Sequence, residues 1–461
     1  MFFLCSGTHI LKISLTFQFV KGGLFLKRNL LKNSLITGTL LLTFAGFLSR
    51  IIGFFYRIFL SRHIGAEGIG IYQLIFPLLS LCISLTSSGI QTGISKYTAE
   101  KYAKNNTSAA FCYLYAGFFL SITLSILTCI FLYQNADFLA LHYLKEKRVA
   151  PLLRIMGLSL PFSSIHACIC GYYYGCKKAL IPAISQLLEQ IVRVGSVYLI
   201  YLIEVENGKT PTPAIAVWGI VLGEVFSALF CITIIRFQKH SDNFFSALKK
   251  IALFSLPLSA NRTSLNFFQS LESLLIPVSL KQFGYTSQEA LSVFGILTGM
   301  ALPVILFPNV LTGSVAVMLL PAISEAQEKQ NHKLIFKTIK KTIESCMILG
   351  LISTLFFLLS GHFIGEFIFQ NTLSGTFITT LSWICPFLFL TTTLSSILHG
   401  LGKTTITFIL NLLASIIRIL GIAFLVPRFG IRAYLMGMLL SQLFLACGFT
   451  FSLYHFCRKG R

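Results

Sequence analysis

The sequence predicts an all-α integral membrane protein, with about twelve transmembrane helices in two six-helix lobes. Three observations carry that prediction. Of the 461 residues 55% are hydrophobic, only 11% are charged and 44 are Phe, with a mean hydropathy of +0.79, a balance no soluble domain of this size shows. Apolar runs follow one another along the chain, each near the roughly 20 residues that cross a bilayer. Arginines lie inside several of these runs, where a charge costs about 2.5 to 3.5 kcal/mol and therefore faces an interior or a watery cavity.

The spans fall at 35–60, 68–92, 109–133, 150–174, 180–203, 214–236, 252–278, 291–318, 341–364, 377–399, 404–426 and 431–456. The first holds Arg50 near its middle and Arg57 two helical turns on, so that Thr39, Thr43, Gly46, Arg50, Gly53 and Arg57 share one stripe. The second carries Pro77 and leaves through the amphipathic stretch 88–106; the eighth carries Pro303 and Pro308 and leaves through 319–333. The third carries no charged residue. The fourth starts near Arg154, an interfacial position, and ends near His166, which like His399 in the tenth span is read as packed or capping.

The fifth span sets Glu189 and Arg193 four apart on one face with Gln186 and Ser196, a spacing that lets the pair neutralise itself. The sixth contains Glu224. The seventh carries a polar stripe of Ser255, Ser259, Arg262, Asn266, Gln269 and Ser273, with Glu272 beside it. The eleventh sets Arg418 on a face with Asn411 and Ser415, the positional counterpart of Arg193, and both arginines, with Asn266 and Gln269, are candidates to line a substrate cavity. Glu224 and Glu272 are read as partners of the arginines, with proton or cation coupling as the alternative.

Lys and Arg concentrate in the N-terminal tail, the C-terminus and every second loop, which by the positive-inside rule puts both termini in the cytoplasm. That asymmetry accounts for the net charge of +22 and meets anionic lipid headgroups. No RNA- or DNA-binding motif accompanies it, so nucleic acid is excluded as a partner. The 12 cysteines are scattered in apolar segments without a CxxC, and read as small buried hydrophobes rather than disulfides or metal ligands. No HExxH, Walker, GxSxG or Cys/His constellation appears, so the sequence calls for no cofactor, no metal and no enzyme activity. Residues 1–30 lack the charged start and small-residue cleavage site of a secretory signal and stand as an extension without an assigned role.

The loop RFQKHSDNFFSALKK after the sixth span divides the chain into an N-terminal lobe, 31–238, and a C-terminal lobe, 239–461. Six spans per half make this a parallel repeat about an axis along the membrane normal. Each half opens with a span carrying an arginine on a polar or small-residue face. Two such faces across the axis would line one electropositive cavity, whereas the plainer reading is that polar stripes hold helices together. Arg50 and Arg262 are the leading candidates for contacting a phosphate, because a guanidinium fork bonds it in two places and keeps its charge. Arg57 either joins them or snorkels to the outer interface.

Three stretches are specific. TLLLTFAGFLSRIIGFFYRIFLSRHIGAEGIGIYQLIFP, SGIQTGISKYTAE and GILTGMALPVILFPNVLTGSVAVMLLPAISEAQ closely resemble the stage V sporulation protein B group of polysaccharide transporters, in the multidrug/oligosaccharidyl-lipid/polysaccharide exporter superfamily. The resemblance covers the chain from residue 31 onward. It implies a two-lobed, V-shaped flippase that moves an undecaprenyl-type, (pyro)phosphate-linked saccharide or peptidoglycan precursor across the cytoplasmic membrane of a Gram-positive bacterium, for cell-wall, spore-cortex or surface-polysaccharide assembly, working as a monomer. Lipid II flippases of that superfamily carry an SRxxGFxR pattern in their first helix, with both arginines in the cavity. Here Ser49, Arg50, Gly53 and Phe54 follow it, while Arg57 comes one residue later, a rotation of about 100°. Those flippases also hold the lipid tail with two further helices beyond a twelfth, so a tail groove here would be built differently.

Two other functions compete. A cation-coupled multidrug antiporter of the same fold needs acidic groups in its cavity, yet Asp137 and Asp242 lie in loops and the first and seventh spans offer positive charge. A glycan polymerase would show a large external loop, and none is present.

Overall fold

The computed structural model describes residues 34–104, 106–236 and 243–459. The N-terminal extension 1–30 and the lobe boundary at 238–239 lie outside these. The described chain is helical, without a strand among the described residues. Its helices are α1 (Ser34–His63), α2 (Gly65–Ala103), α3 (Thr107–Gln134), α4 (Ala150–Gly157 and Ser159–Gly175), α5 (Leu180–Glu206) and α6 (Pro213–Ile234). The second half supplies α7 (Phe244–Phe283), α8 (Ser287–Leu306 and Asn309–Glu328), α9 (His332–Ile368), α10 (Thr372–Gly400), α11 (Thr404–Phe424) and α12 (Ile431–Lys459). The helices alternate in direction, so residues 34 and 459 lie on one face, here the terminal face.

Twelve rods thus occupy the twelve expected spans, but they are not equally apolar. By length and apolarity 10 helices among the described residues can cross a membrane, 11 with the bent α4. That count takes the two pieces of α8 separately and leaves out α5 and α7, the rods whose charged and polar stripes dilute them.

Local chemistry sets the breaks. Pro308 cannot donate to the preceding turn and disfavours helix at Phe307, so α8 breaks there. Side-chain caps begin several rods: Asn106 accepts from the Ala109 amide at 2.9 Å, Asn331 from Leu334 at 3.0 Å, and Thr286 with Glu289 forms a reciprocal capping box.

The two halves repeat one another in detail. A π-helical turn at Leu139–Tyr143 recurs at Ile364–Ile368. Lys145 and Gln370, at the same offset, both have positive φ, and so do Lys177 and Gly402. Glu146 and Asn371 each cap the helix that follows. The bend of α4 after Gly157 returns as a 3-10 turn at Ser382–Ile384, and Pro161 matches Pro386. At this same offset Arg193 answers Arg418.

The halves meet where the repeat meets itself. A Cβ on Gly70 of α2 would lie 2.0 Å from the Leu291 carbonyl of α8, and one on Gly295 of α8 would lie 2.2 Å from the Ala66 carbonyl of α2. Gly70 and Gly295 are repeat equivalents, as are Ala66 and Leu291, so the contact is two-fold related. Only glycine permits backbones this close. Further inter-half packing comes from α1, whose Phe54 meets Phe307 and Phe369, and from α7. Its first turns bring Ala247 and Ile251 into one apolar cluster with Ile90, Ile94 and Leu114 of α2 and α3, while its distal half packs on α11.

Candidate functional site: an arginine cleft and two buried ionic clusters

The cleft lies between α2 and α7. Ser80, Ser84 and Ser88 recur every fourth residue along α2 and so form one ladder, which ends in a π-helical turn at Ser84–Ser88. Facing it, Arg262 Nη1 donates to Ser88 Oγ, Asn266 Nδ2 donates to the Ser80 carbonyl at 3.1 Å, and Thr263 Oγ1 meets Ser84 Oγ at 3.1 Å. Ser80, Ser84, Ser88, Arg262 and Asn266 with Ile83 and Leu265 line an open cleft of about 280 Å³. Arg262 and Gln269 are exposed and Asn266 is half-buried. The other end of the expected polar stripe does different work. Ser255 is buried and Ser259 half-buried against Gly89 and Gly93 of α2, at distances only a glycine allows.

Arg50 is exposed on α1, and a Cβ at Gly46 or Gly53 on its stripe would meet nothing within 4 Å. Among the described residues no carboxylate lies within ion-pair distance of Arg50, Arg57 or Arg262. The first and last differ in depth. Arg50 lies thirteen residues before the end of α1 at His63, whereas Arg262 lies twenty-one before the end of α7 at Phe283. At 1.5 Å per residue Arg262 is about 12 Å nearer the terminal face. The symmetric pair expected from the sequence is therefore staggered. Arg57 is half-buried and lies beside Tyr56 and Tyr72, to which Arg193 is also near, turned into the N-terminal half.

Arg193 and Arg418 are equivalent in the repeat and neither is free. Arg193 pairs with Glu189 one turn earlier on α5. Arg418 Nε donates to both oxygens of Glu272 on α7, at 2.9 and 3.0 Å, and Tyr434 of α12 donates to the same carboxylate at 3.0 Å. Both arginines were expected to line the cavity; the half-buried carboxylate of Glu189 and the buried one of Glu272 hold them instead, because a guanidinium in a low dielectric needs its counter-charge. Glu272 thus partners an arginine, whereas Glu224 does not.

Glu224 of α6 faces His166 Nδ1 at 3.3 Å. The other ring nitrogen, Nε2, meets Ser185 Oγ at 2.9 Å, and Ser185 in turn reaches Ser227 Oγ at 2.6 Å and Cys231 Sγ at 3.3 Å. His166 is therefore the centre of a buried polar cluster, not a packed helix end. The sequence reading missed it because its members come from three helices. The one local signal was His166 and Cys170, four apart on α4. In the C-terminal half Thr391 Oγ1 donates to Gln442 Oε1 at 3.2 Å at the equivalent place.

On the face opposite the termini the halves are stitched by two related contacts. Arg62 Nε and Nη2 donate to the Ile368 carbonyl at 3.1 and 3.0 Å, and Ser287 Oγ donates to Glu146 Oε2 at 3.4 Å. Arg148 bridges Glu146 and Glu67, at 2.7 and 2.6 Å. Burial pushes the Glu146 carboxyl up, but its bonds to Arg148 outweigh this and hold it below the ordinary carboxylate value. Nearer the same face, Arg154 pairs with Asp137 at 2.6 Å.

The family model described as "Polysaccharide biosynthesis protein" matches residues 35–327. Stage V sporulation protein B of Bacillus subtilis (strain 168) is 27% identical over 431 residues, 89% of this chain and 83% of that one. Among solved structures, the lipid II flippase MurJ in an inward closed conformation superposes with a TM-score of 0.70 at 17% identity, over 90% of this chain and 87% of that one. An inward-facing multidrug transporter of the MATE family superposes with a TM-score of 0.69 at 16% identity, over 90% and 95% of the two chains.

Proposed function

The chain belongs to the polysaccharide biosynthesis protein family, and on that premise we propose that it is a flippase for a saccharide carried on a polyprenyl (pyro)phosphate. The observation that carries this reading is the pair of uncompensated cations. Arg50 and Arg262 lie on membrane-spanning helices with no carboxylate partner among the described residues, and a charge held unpaired at such depth implies an anion that neutralises it in turn. Arg262 is presented beside a serine ladder, so a phosphate there accepts from the guanidinium and from hydroxyls together. By the distribution of Lys and Arg the terminal face is cytoplasmic. The stitched opposite face then corresponds to a state closed to the outside, from which a headgroup enters on the cytoplasmic side.

A cation-coupled multidrug antiporter is the second reading, favoured by Glu189 and Glu224. Both carboxylates are engaged by neighbours rather than presented to the cleft, which favours the flippase.

Complementation of a flippase-depleted strain, with protein abundance measured alongside, tests the proposal. Arg50→Ala and Arg262→Ala are each expected to abolish growth at normal abundance, because losing a mid-membrane charge eases insertion. Arg50→Lys retains part of the activity, keeping the charge without the fork. Full growth of the double alanine variant would refute the anionic-headgroup mechanism.

A further inference from the structure

The buried cluster on α4, α5 and α6 contains a set of atoms that neither the anion reading nor the packing requires. His166, Cys170 and Cys231 place one nitrogen and two sulfurs within 4.8 Å of one another. Cys170 and Cys231 are 4% and 0% exposed. His166 Nδ1 faces Glu224, and Nε2 meets Ser185 Oγ, which itself lies 3.3 Å from Cys231 Sγ, so Nε2 is on the sulfur side of the cluster. A carboxylate behind a histidine in this way fixes its tautomer and aims its second nitrogen, as in carboxylate–histidine–zinc arrangements. The thiols are within two turns of the terminal-face ends of α4 and α6, at Gly175 and Ile234.

We propose that His166, Cys170 and Cys231 bind one soft metal cation of the zinc class, with Ser185 or a water completing a tetrahedron. Two thiolates and one neutral imidazole select such an ion over sodium or magnesium, which take oxygen ligands. Binding releases one proton from each thiol to water, so a divalent ion and two thiolates enter the membrane as a neutral unit. Zinc–sulfur and zinc–nitrogen bonds of about 2.3 Å and 2.0–2.1 Å set ligand atoms of one tetrahedron somewhat closer together than the 4.8 Å within which these three lie. The ion would brace α4 against α6. The C-terminal half has no counterpart, since Thr391 stands for His166, Ser395 for Cys170 and Phe449 for Cys231.

Cobalt(II) added to the purified full-length protein in lipid nanodiscs reads the site directly. One equivalent is expected to give a thiolate-to-cobalt charge-transfer band with intense tetrahedral d–d bands, bleached by zinc and untouched by a hundredfold excess of sodium. Glu224→Gln keeps the three ligands but loses the anionic support, and should weaken binding about 10- to 100-fold. The Cys170→Ser, Cys231→Ser double variant should lose the charge-transfer band, while Cys346→Ser in the other half keeps it. No band in the unaltered protein, displacement by sodium, or a band retained in the double variant would overturn the proposal. Should the double variant misfold, the unaltered protein and Glu224→Gln still decide it.

Discussion

Equivalent places in the two halves solve one electrostatic problem with different residues. Arg193 takes its counter-charge from its own helix, through Glu189. Arg418 has Ala414 at that position and reaches across to Glu272 on α7, which Tyr434 also holds. The arginine is thus common to the repeat while its partner is local in one half and distant in the other. A second contrast points the same way: His166 and Glu224 are titratable groups where Thr391 and Gln442 are neutral. The fold needs a polar contact between the fourth and sixth helices of each half, but not a charged one. The charge in the N-terminal half is therefore an addition to the architecture, and it is there that the metal ligands lie.

Removing Glu272 should do the most damage. Glu272→Ala strands Arg418 in a low dielectric, at a cost of about 3–5 kcal/mol, read as a lower midpoint in a thermal-stability assay of the detergent-solubilised protein. Glu189→Ala should cost less, because Glu224 stands near enough to Glu189 to share a cation with it. Equal losses from the two variants would break the contrast between local and distant pairing.

The seam comes next. Gly295→Ala and Gly70→Ala each force a methyl group onto a facing carbonyl and should each cost about 1–3 kcal/mol, equally if the two-fold relation holds. Gly53→Ala, in open space on a helix, should be neutral or slightly stabilising.

Smaller still is the difference between Glu224→Ala and Gln442→Ala. A hydrogen bond to a charged group contributes about 1.5–3 kcal/mol and a neutral one about 1 kcal/mol, so the N-terminal variant should melt earlier. The reverse order would show that the N-terminal cluster gains nothing from its charge.

The smallest effect concerns pH. Glu146 titrates lower in the folded protein than in the unfolded chain. Its contribution is therefore complete above the ordinary value of 4.5 and is lost as pH falls through the depressed folded value. Thermal stability should decline between pH 5 and the acid limit more steeply than in Glu146→Gln, and parallel curves would remove this contact from the stitched face.

Much of this molecule was legible because the membrane dictates it. Backbone groups in hydrocarbon must bond within their own segment, so length and apolarity alone give helices and their approximate ends. Arg193 and Arg418 could be matched by position, whereas the eighth span reads as one run in which the break at Pro308 is not foreseen. Side-chain partners were not legible. Glu272 and Arg418 are far apart in sequence, as are His166 and Glu224, and periodicity reports which face of a helix a residue occupies but not what stands opposite it.

The sequence by itself determined the class, the number of rods, the repeat and the presence of arginines within the spans, since each follows from local hydropathy and helical geometry. Tertiary structure alone decided which of those arginines are neutralised and which stay open, that Arg50 and Arg262 are staggered in depth, and that a histidine and two cysteines converge. Those outcomes depend on how helices from distant parts of the chain face one another. A buried charge takes its meaning from the group across the interface, which helical periodicity does not specify.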